Sequence, residues 1–587
     1  MNSKYIKISL GIIVAVALIG FLIAGFSTNW FSSKEDSNDD DVIPVNDNGL
    51  LREYINRLDI NQITGQPVFD YKILKEENNG NGNKTVWLGV HSVTYLTPEA
   101  SDQYVWSHQV VIFLHDKLKN SIFNTSRAIV YLDGVDASAE DPPIKTENND
   151  LLNLIWDISY DSNVVGVFIT RIPPRIKYEG EDSRHSEDDL MAVFWQKYLF
   201  EGKNIENTFF APMAKAAMKC VDAVEDYLQQ VGTENQYEND FKYVITGASK
   251  RGWTSWLVAA MDQQRTQAAL PVVMSMANIQ QHLHRMNRIY NNNWPFTFEW
   301  LVRRKLMGEI DSSNYTDLMS IVDPINYDYH DKLIYLESST SDEFFLPDDI
   351  IDYWNDSPQI RHKLFRLVPK SEHSMIGHLK TIREQSAKVV TMINNNQNKE
   401  ESNLIIPNMS FRRDSNKWTI LIENVQKILN VKIYRTENRD QKMRDFRVAA
   451  LREKKWGDDS YESKDIRPRF HQWTSCAVNS DFFSIISQSY RNFCNTSNSN
   501  QTDFFGKFLK DYEFYCDGEN PCDYTFETDD LALLYSEEVY NAFYLEFDII
   551  LVNSNDTGLR ITTPLFVEPE YLPGDRCYGD VCNGGLC

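Results

Sequence analysis

Three side chains far apart in the chain, Ser249, Asp342 and His373, supply a hydroxyl, a carboxylate and an imidazole in an order that suits acyl transfer. Ser249 lies in Phe241-Lys-Tyr-Val-Ile-Thr-Gly247-Ala248-Ser249-Lys250-Arg251-Gly252-Trp253, where a β-branched and aromatic run meets Gly-x-Ser and then a helical stretch. A serine on such a strand-to-helix turn is held in a strained backbone conformation that exposes its hydroxyl, and small neighbours let helix and strand approach. The pattern departs from G-x-S-x-G: Arg251 takes the second glycine's place, and Gly252 follows one residue later. Backbone N–H groups at a helix start can face a developing oxyanion, which makes the Lys250 N–H one expected donor. The second is expected in Leu132-Asp133-Gly134-Val135-Asp136, where Gly134 would permit close approach and Val135 would donate.

The acid and the base each follow an apolar run. Leu333–Leu336 precedes Glu337-Ser-Ser-Thr-Ser-Asp342-Glu343-Phe-Phe-Leu-Pro347, with Asp342 as the expected acid and Glu337 and Glu343 as rivals. Leu364–Val368 precedes Pro369-Lys-Ser-Glu372-His373, with His378 as the rival histidine. His373 would take the serine proton while Asp342 fixes its tautomer and stabilises the imidazolium. His282-Leu-His284 leads into an aromatic segment with Trp294, Phe296, Phe298 and Trp300. This reads as a helical cap over the site, and Gly134, His282, His284 and Trp294 are the expected pocket residues. A zinc site needs three or four ligands and no third is evident, so neither metal nor cofactor is assigned. Lys250 and Arg251 suit either an acidic substrate group or ion pairs with the protein's own carboxylates.

Positioning three such residues calls for a sheet with helices on it. Runs at Val110–Leu114, Ala128–Leu132, Val164–Thr170, Phe241–Thr246, Ala269–Met274, Leu333–Leu336 and Lys363–Val368 read as strands. Between them Asp188–Phe200, Met213–Gln230, Ile350–Trp354 and Leu379–Ile393 read as helices. The alternation predicts an α/β fold, a doubly wound sheet, over residues 49–398. Beyond it, Trp418–Glu423, Val431–Thr436, Phe446–Leu451 and Tyr544–Val552 read as strands without long helices between them, a β-rich, sandwich-like C-terminal domain over 399–570. A Cys-rich tail, 571–587, follows.

The chain has 84 acidic against 59 basic residues, a net charge of −25, and offers no basic surface for nucleic acid. Lys4 and Lys7 precede an apolar run from Ile8 to Phe26 that no charge interrupts, and an acidic linker over 31–48 follows. Residues 1–30 therefore read as a signal-anchor that crosses a membrane through residues 8–26 and leaves the body outside or in a lumen. The alternative is a cleaved signal and secretion. N-x-S/T sequons at Asn83, Asn124, Asn314, Asn355, Asn408, Asn495, Asn500 and Asn555 agree with an exterior location. So does the crowding of Cys476, Cys494, Cys516, Cys522, Cys577, Cys582 and Cys587 into the last quarter, which reads as disulfides, while Cys220 reads as a buried thiol.

Several ordered segments resemble the PhoPQ-activated pathogenicity-related proteins over about residues 50–455. They are Leu96-Thr-Pro-Glu99, Val105-Trp-Ser-His108, Glu187-Asp-Asp-Leu-Met-Ala192 with Trp195-Gln-Lys-Tyr-Leu199, and Gly247-Ala-Ser-Lys-Arg-Gly-Trp-Thr254. Val322-Asp-Pro324, Asp342-Glu-Phe-Phe-Leu-Pro-Asp348, Glu372-His-Ser374 and Arg444-Asp-Phe-Arg447 complete them. The resemblance implies an α/β-hydrolase related to dipeptidyl-peptidase catalytic domains, with the triad on Ser249, Asp342 and His373. Two functions are then expected: an ecto-hydrolase acting on an ester or amide, or a signalling protein on a hydrolase scaffold that binds a cell-surface protein partner.

Overall fold

The apolar runs form one nine-stranded sheet: β1 (Asp70–Asn78), β2 (Lys84–Thr94), β3 (Val105–Leu114), β4 (Arg127–Leu132), β5 (Val165–Ile169), β6 (Lys242–Ala248), β7 (Thr266–Val272), β8 (Leu333–Ser339) and β9 (His362–Val368). Its order is β1-β2-β3-β5-β4-β6-β7-β8-β9. The first two strands and β3 run antiparallel to their neighbours, and from β5 onward every pairing is parallel. The parallel strands are almost continuously buried, as a sheet covered on both faces requires. The computed structural model describes residues 49–120, 124–185, 187–231, 240–396, 406–414 and 417–438, and beyond these 443–447, 449–451, 466–468, 474–479, 509–515, 522–528, 540–551, 558–568, 570 and 572–586. The expected signal-anchor and linker, and Cys494, Cys516 and Cys587, lie outside these residues. Among the described residues no helix is long and apolar enough to cross a membrane.

Helices connect the parallel strands, α1 (Asp150–Ser162), α2 (Glu187–Phe200), α3 (Phe210–Val231), α4 (Lys250–Met261), α5 (Ile279–Ile289) and α6 (Ser313–Val322), and α7 (Leu379–Asn396) follows the last of them. The Asn149 side chain caps α1 by accepting the Leu151 and Leu152 N–H groups, and Asn163 ends it in the left-handed conformation. Helix α1 packs against α7, where Arg383 pairs with Asp157 and Asp161, and α3 packs against α4. Residues 273–332, inserted between β7 and β8, are helical, as the expected cap should be. Ile350–Trp354, expected as a helix, is a short 3-10 turn over Asp349–Asp352.

Among the described residues the C-terminal region forms an eight-stranded antiparallel sheet, beside a short pairing of Ala449–Leu451 with Ile466–Pro468. The sheet comprises β10 (Asn408–Asp414), β11 (Lys417–Asn438), β12 (Thr474–Asn479), β13 (Leu509–Tyr515), β14 (Cys522–Thr528), β15 (Tyr540–Leu551), β16 (Leu559–Thr562) and β17 (Phe566–Glu568). Two expected strands, 418–423 and 431–436, are halves of β11, which has 22 residues and continues through a register shift between Ile422 and Val425. The sheet packs on the nine-stranded body: the Leu367 N–H donates to Thr562 Oγ1 (2.8 Å) and the Arg560 N–H to Gln385 Oε1 (2.8 Å). Both belong to one unit that spans residues 45–587.

The Cys-rich tail lies on the cap. Cys577 and Cys582 form a disulfide. The Gly574 N–H donates to the Arg288 carbonyl (2.8 Å), the Trp294 indole N–H to the Cys582 carbonyl (2.6 Å) and the Gly308 N–H to Asn583 Oδ1 (2.9 Å). Gly585–Leu586 pairs with Asn293–Trp294 as a short parallel ladder.

Candidate active site

Ser249 sits where β6 turns into α4, with φ 57° and ψ −122°, a backbone conformation costly for a non-glycine residue. Crowding explains the flanking glycines. A Cβ on Gly247 would lie 2.9 Å from the Arg251 carbonyl oxygen, and one on Gly252 would lie 2.9 Å from Met274 Cβ. The turn is fixed further by the Ser249 N–H donating to the Val272 carbonyl (2.9 Å) and the Trp253 N–H to the Ser249 carbonyl (3.0 Å).

The structure brings the three expected residues together. His373 Nε2 is 2.9 Å from Ser249 Oγ, and His373 Nδ1 is 2.9 Å from both Asp342 carboxylate oxygens. Asp342 is buried after β8 and accepts the Phe344 and Phe345 N–H groups at 2.7 and 3.1 Å, which fixes its orientation. The imidazole packs on Phe344, ring centroids 4.3 Å apart. The rivals have other duties. Glu337 is buried in β8 and paired with Arg366. Glu343 accepts the His373 backbone N–H (3.0 Å), and its burial, with the neighbouring Asp342 charge, holds its carboxyl above the usual range. His378 is 3.3 Å from the Lys370 carbonyl and near the surface.

The oxyanion expectation divides. Lys250 opens α4, within the first turn, whose N–H groups have no intrahelical acceptor. The Val135 N–H, however, donates to Asp133 Oδ1 at 2.7 Å, so this loop closes its own turn and the expected second donor is engaged. Gly134 serves a different purpose. A Cβ there would lie 1.8 Å from Arg251 Nη2, so its absence lets the guanidinium pass to a bidentate pair with Glu187 (2.7 and 2.8 Å). Lys250 pairs with Asp188 (2.7 Å). Both cations are therefore ion-paired within the protein. Burial opposes ionisation of Glu187, but the Arg251 hydrogen bond and charge prevail and keep its carboxyl well below the usual range.

Beside Ser249 a cavity runs between α2, α4 and the cap. Its wall includes Met191, Trp195, Met276, Leu283, Phe298 and Met307. None of the four expected pocket residues lines it. Gly134 lies at Arg251, His282 is buried against Asp349 (3.1 Å), His284 pairs with Asp311 (2.8 Å), and Trp294 is buried under the tail. The aromatic segment does contribute Phe298 and Trp300. Sequence reading missed the methionines and leucines because nothing distinguishes an apolar residue facing a cavity from one facing a core. A ring nitrogen of His284 and the two tail sulfurs lie close enough together to share a metal ion, but the sulfurs are bonded to each other.

The strand order, the antiparallel β3 and a serine at the β6–α4 turn facing a histidine from the loop after β9 define an α/β-hydrolase fold. The family model for PhoPQ-activated pathogenicity-related proteins matches residues 60–447, and the chain belongs to that family. Autocrine proliferation repressor protein A of Dictyostelium discoideum is 30% identical over 368 residues, 62% of this chain and 70% of the relative. Among solved structures, acetyl xylan esterase 1 from Thermoanaerobacterium aligns over 58% of this chain and 98% of its own (10% identity, TM-score 0.36). The glucuronoyl esterase from Solibacter usitatus aligns over 58% and 91% (11% identity, TM-score 0.34). The fold assignment stands on the strand order and not on these distant likenesses.

Proposed function

We propose that this chain is a serine hydrolase that acts by acyl transfer at Ser249, outside the cell or in a lumen. The contact that carries the reading is Ser249 Oγ to His373 Nε2 at 2.9 Å, on a strained turn at the end of a parallel strand. In that reading Ser249 Oγ attacks the carbonyl carbon while His373 Nε2 takes the hydroxyl proton. Asp342, bonded to Nδ1–H, holds the tautomer and stabilises the imidazolium. The Lys250 N–H bonds the oxyanion. Collapse expels the alcohol or amine, which leaves with the proton from His373. Water, deprotonated by the same imidazole, then releases the acid and restores Ser249. The Cys577–Cys582 disulfide favours an oxidising compartment, and the apolar run at 8–26 supplies the anchor.

The name of the amoebal relative favours a second reading, a signalling protein that acts by binding a cell-surface partner. One pair of experiments separates them. A fluorophosphonate probe should label the purified protein, and Ser249→Ala should abolish labelling. A Ser249→Ala protein that stays folded and keeps full biological effect would assign that effect to binding. Absence of labelling in the folded native protein would refute the hydrolase reading.

A further inference from the structure

Resting on the hydrolase reading, we infer that the cavity beside Ser249 is an acyl slot and that the substrate is an ester of a slim, unbranched fatty acid. The slot starts at the nucleophile and is walled by Met191, Met276, Leu283, Leu306, Met307 and Phe345, among other apolar residues. Charged residues enter its lining only as Asp188 and Lys250, and these are paired with each other at 2.7 Å. Binding the amine or carboxylate of a peptide here would break that pair. The other polar groups on the wall are mostly engaged. Thr297 Oγ1 donates to the Glu343 carbonyl (2.9 Å), the Trp195 indole N–H to Thr208 O (3.2 Å) and the Trp253 indole N–H to Val322 O (2.6 Å). The buried Tyr315 hydroxyl has no hydrogen-bond partner among the described residues. A wall of this kind stabilises a guest by taking apolar area out of water. Methionines suit a flexible alkyl chain, because their unbranched side chains adapt to irregular shapes.

The test uses the purified full chain and p-nitrophenyl esters of acetate, butyrate, hexanoate, octanoate and dodecanoate. The expected profile has kcat/KM for hexanoate or octanoate at least tenfold above acetate, since each methylene that enters an apolar pocket adds discrimination. Filling the slot should erase the preference: in Leu283→Trp, and separately in Met307→Trp, the octanoate-to-acetate ratio should fall at least tenfold. Thermal melting and labelling by a small fluorophosphonate establish that each variant is folded with Ser249 reactive, and two positions guard against one failing to fold. A flat profile in a protein whose Ser249 labels, or a ratio unmoved in both folded variants, overturns the acyl slot and leaves the hydrolase reading standing. No labelling and no turnover of any ester overturns both.

Discussion

The positive φ at Ser249 and the two-point grip of Asp342 on His373 are strains and contacts that make little sense as packing alone. Asp342 already spends one oxygen on two backbone N–H groups, so replacing it with asparagine keeps an acceptor for the loop. It changes what His373 Nδ1 meets: an amide that can present N–H invites the wrong tautomer. Asp342→Asn should therefore fold normally, with a melting temperature near that of the native protein, yet lose roughly a thousandfold or more in kcat on an activated ester. An undiminished kcat would remove Asp342 from the mechanism. These residues were legible in the sequence because chemistry restricts residue type and the fold restricts order. Gly134 was noticed for the wrong reason. Its requirement comes from Arg251, more than a hundred positions away, and no local pattern announces that a side chain will pass there.

The cap is held at its start by Asp323, whose buried carboxylate accepts the N–H groups of Asn278 (3.1 Å), Ile279 (2.6 Å) and Ile325 (3.1 Å). Burial outweighs these bonds and pushes its carboxyl up to about 6. An unfolded aspartate titrates near ~3.9, so the folded state holds this proton more tightly. The stability this adds is complete below about pH 4 and is lost as pH rises through about 6. Asp323→Asn has no such titration. The stability of the variant minus that of the native protein should climb between pH 4 and 7, by on the order of 3 kcal/mol. Chemical denaturation at several pH values measures it, and a difference that does not change with pH would refute the assignment. At this scale the parallel strands were legible because burial on both faces makes their sequences continuously apolar. Strand β1 escaped notice for the opposite reason. β1 is an edge strand with mostly exposed residues such as Lys75 and Glu76, so charge hides its alternation. The two halves of β11 were read as separate strands because the irregularity at Asn424, with φ 59°, resembles a turn.

Across the whole molecule, what sequence reading could not reach is how the Cys-rich tail and the second sheet attach. Their contacts join residues hundreds of positions apart, and only packing records them. Arg288 and Gly574, Trp294 and Cys582, and Gly308 and Asn583 bind the tail to the cap. Removing residues 572–587 should expose Trp294, and intrinsic tryptophan emission should shift to longer wavelength. The main unfolding transition should persist, because the core of the nine-stranded sheet does not include the tail. Emission and melting both unchanged would mean the contacts contribute nothing to the cap.

The same attachment sets a schedule for biosynthesis. Trp294 leaves the ribosome 288 residues before the carbonyl that its indole N–H will meet. At typical rates of about 5–20 residues per second, that interval lasts roughly 15–60 s. Through it the nascent cap displays an unfinished edge and an uncovered indole, surfaces that holdase chaperones recognise. A message truncated near its 3′ end would yield a chain whose nucleophile turn is built but whose cap never closes its final ladder.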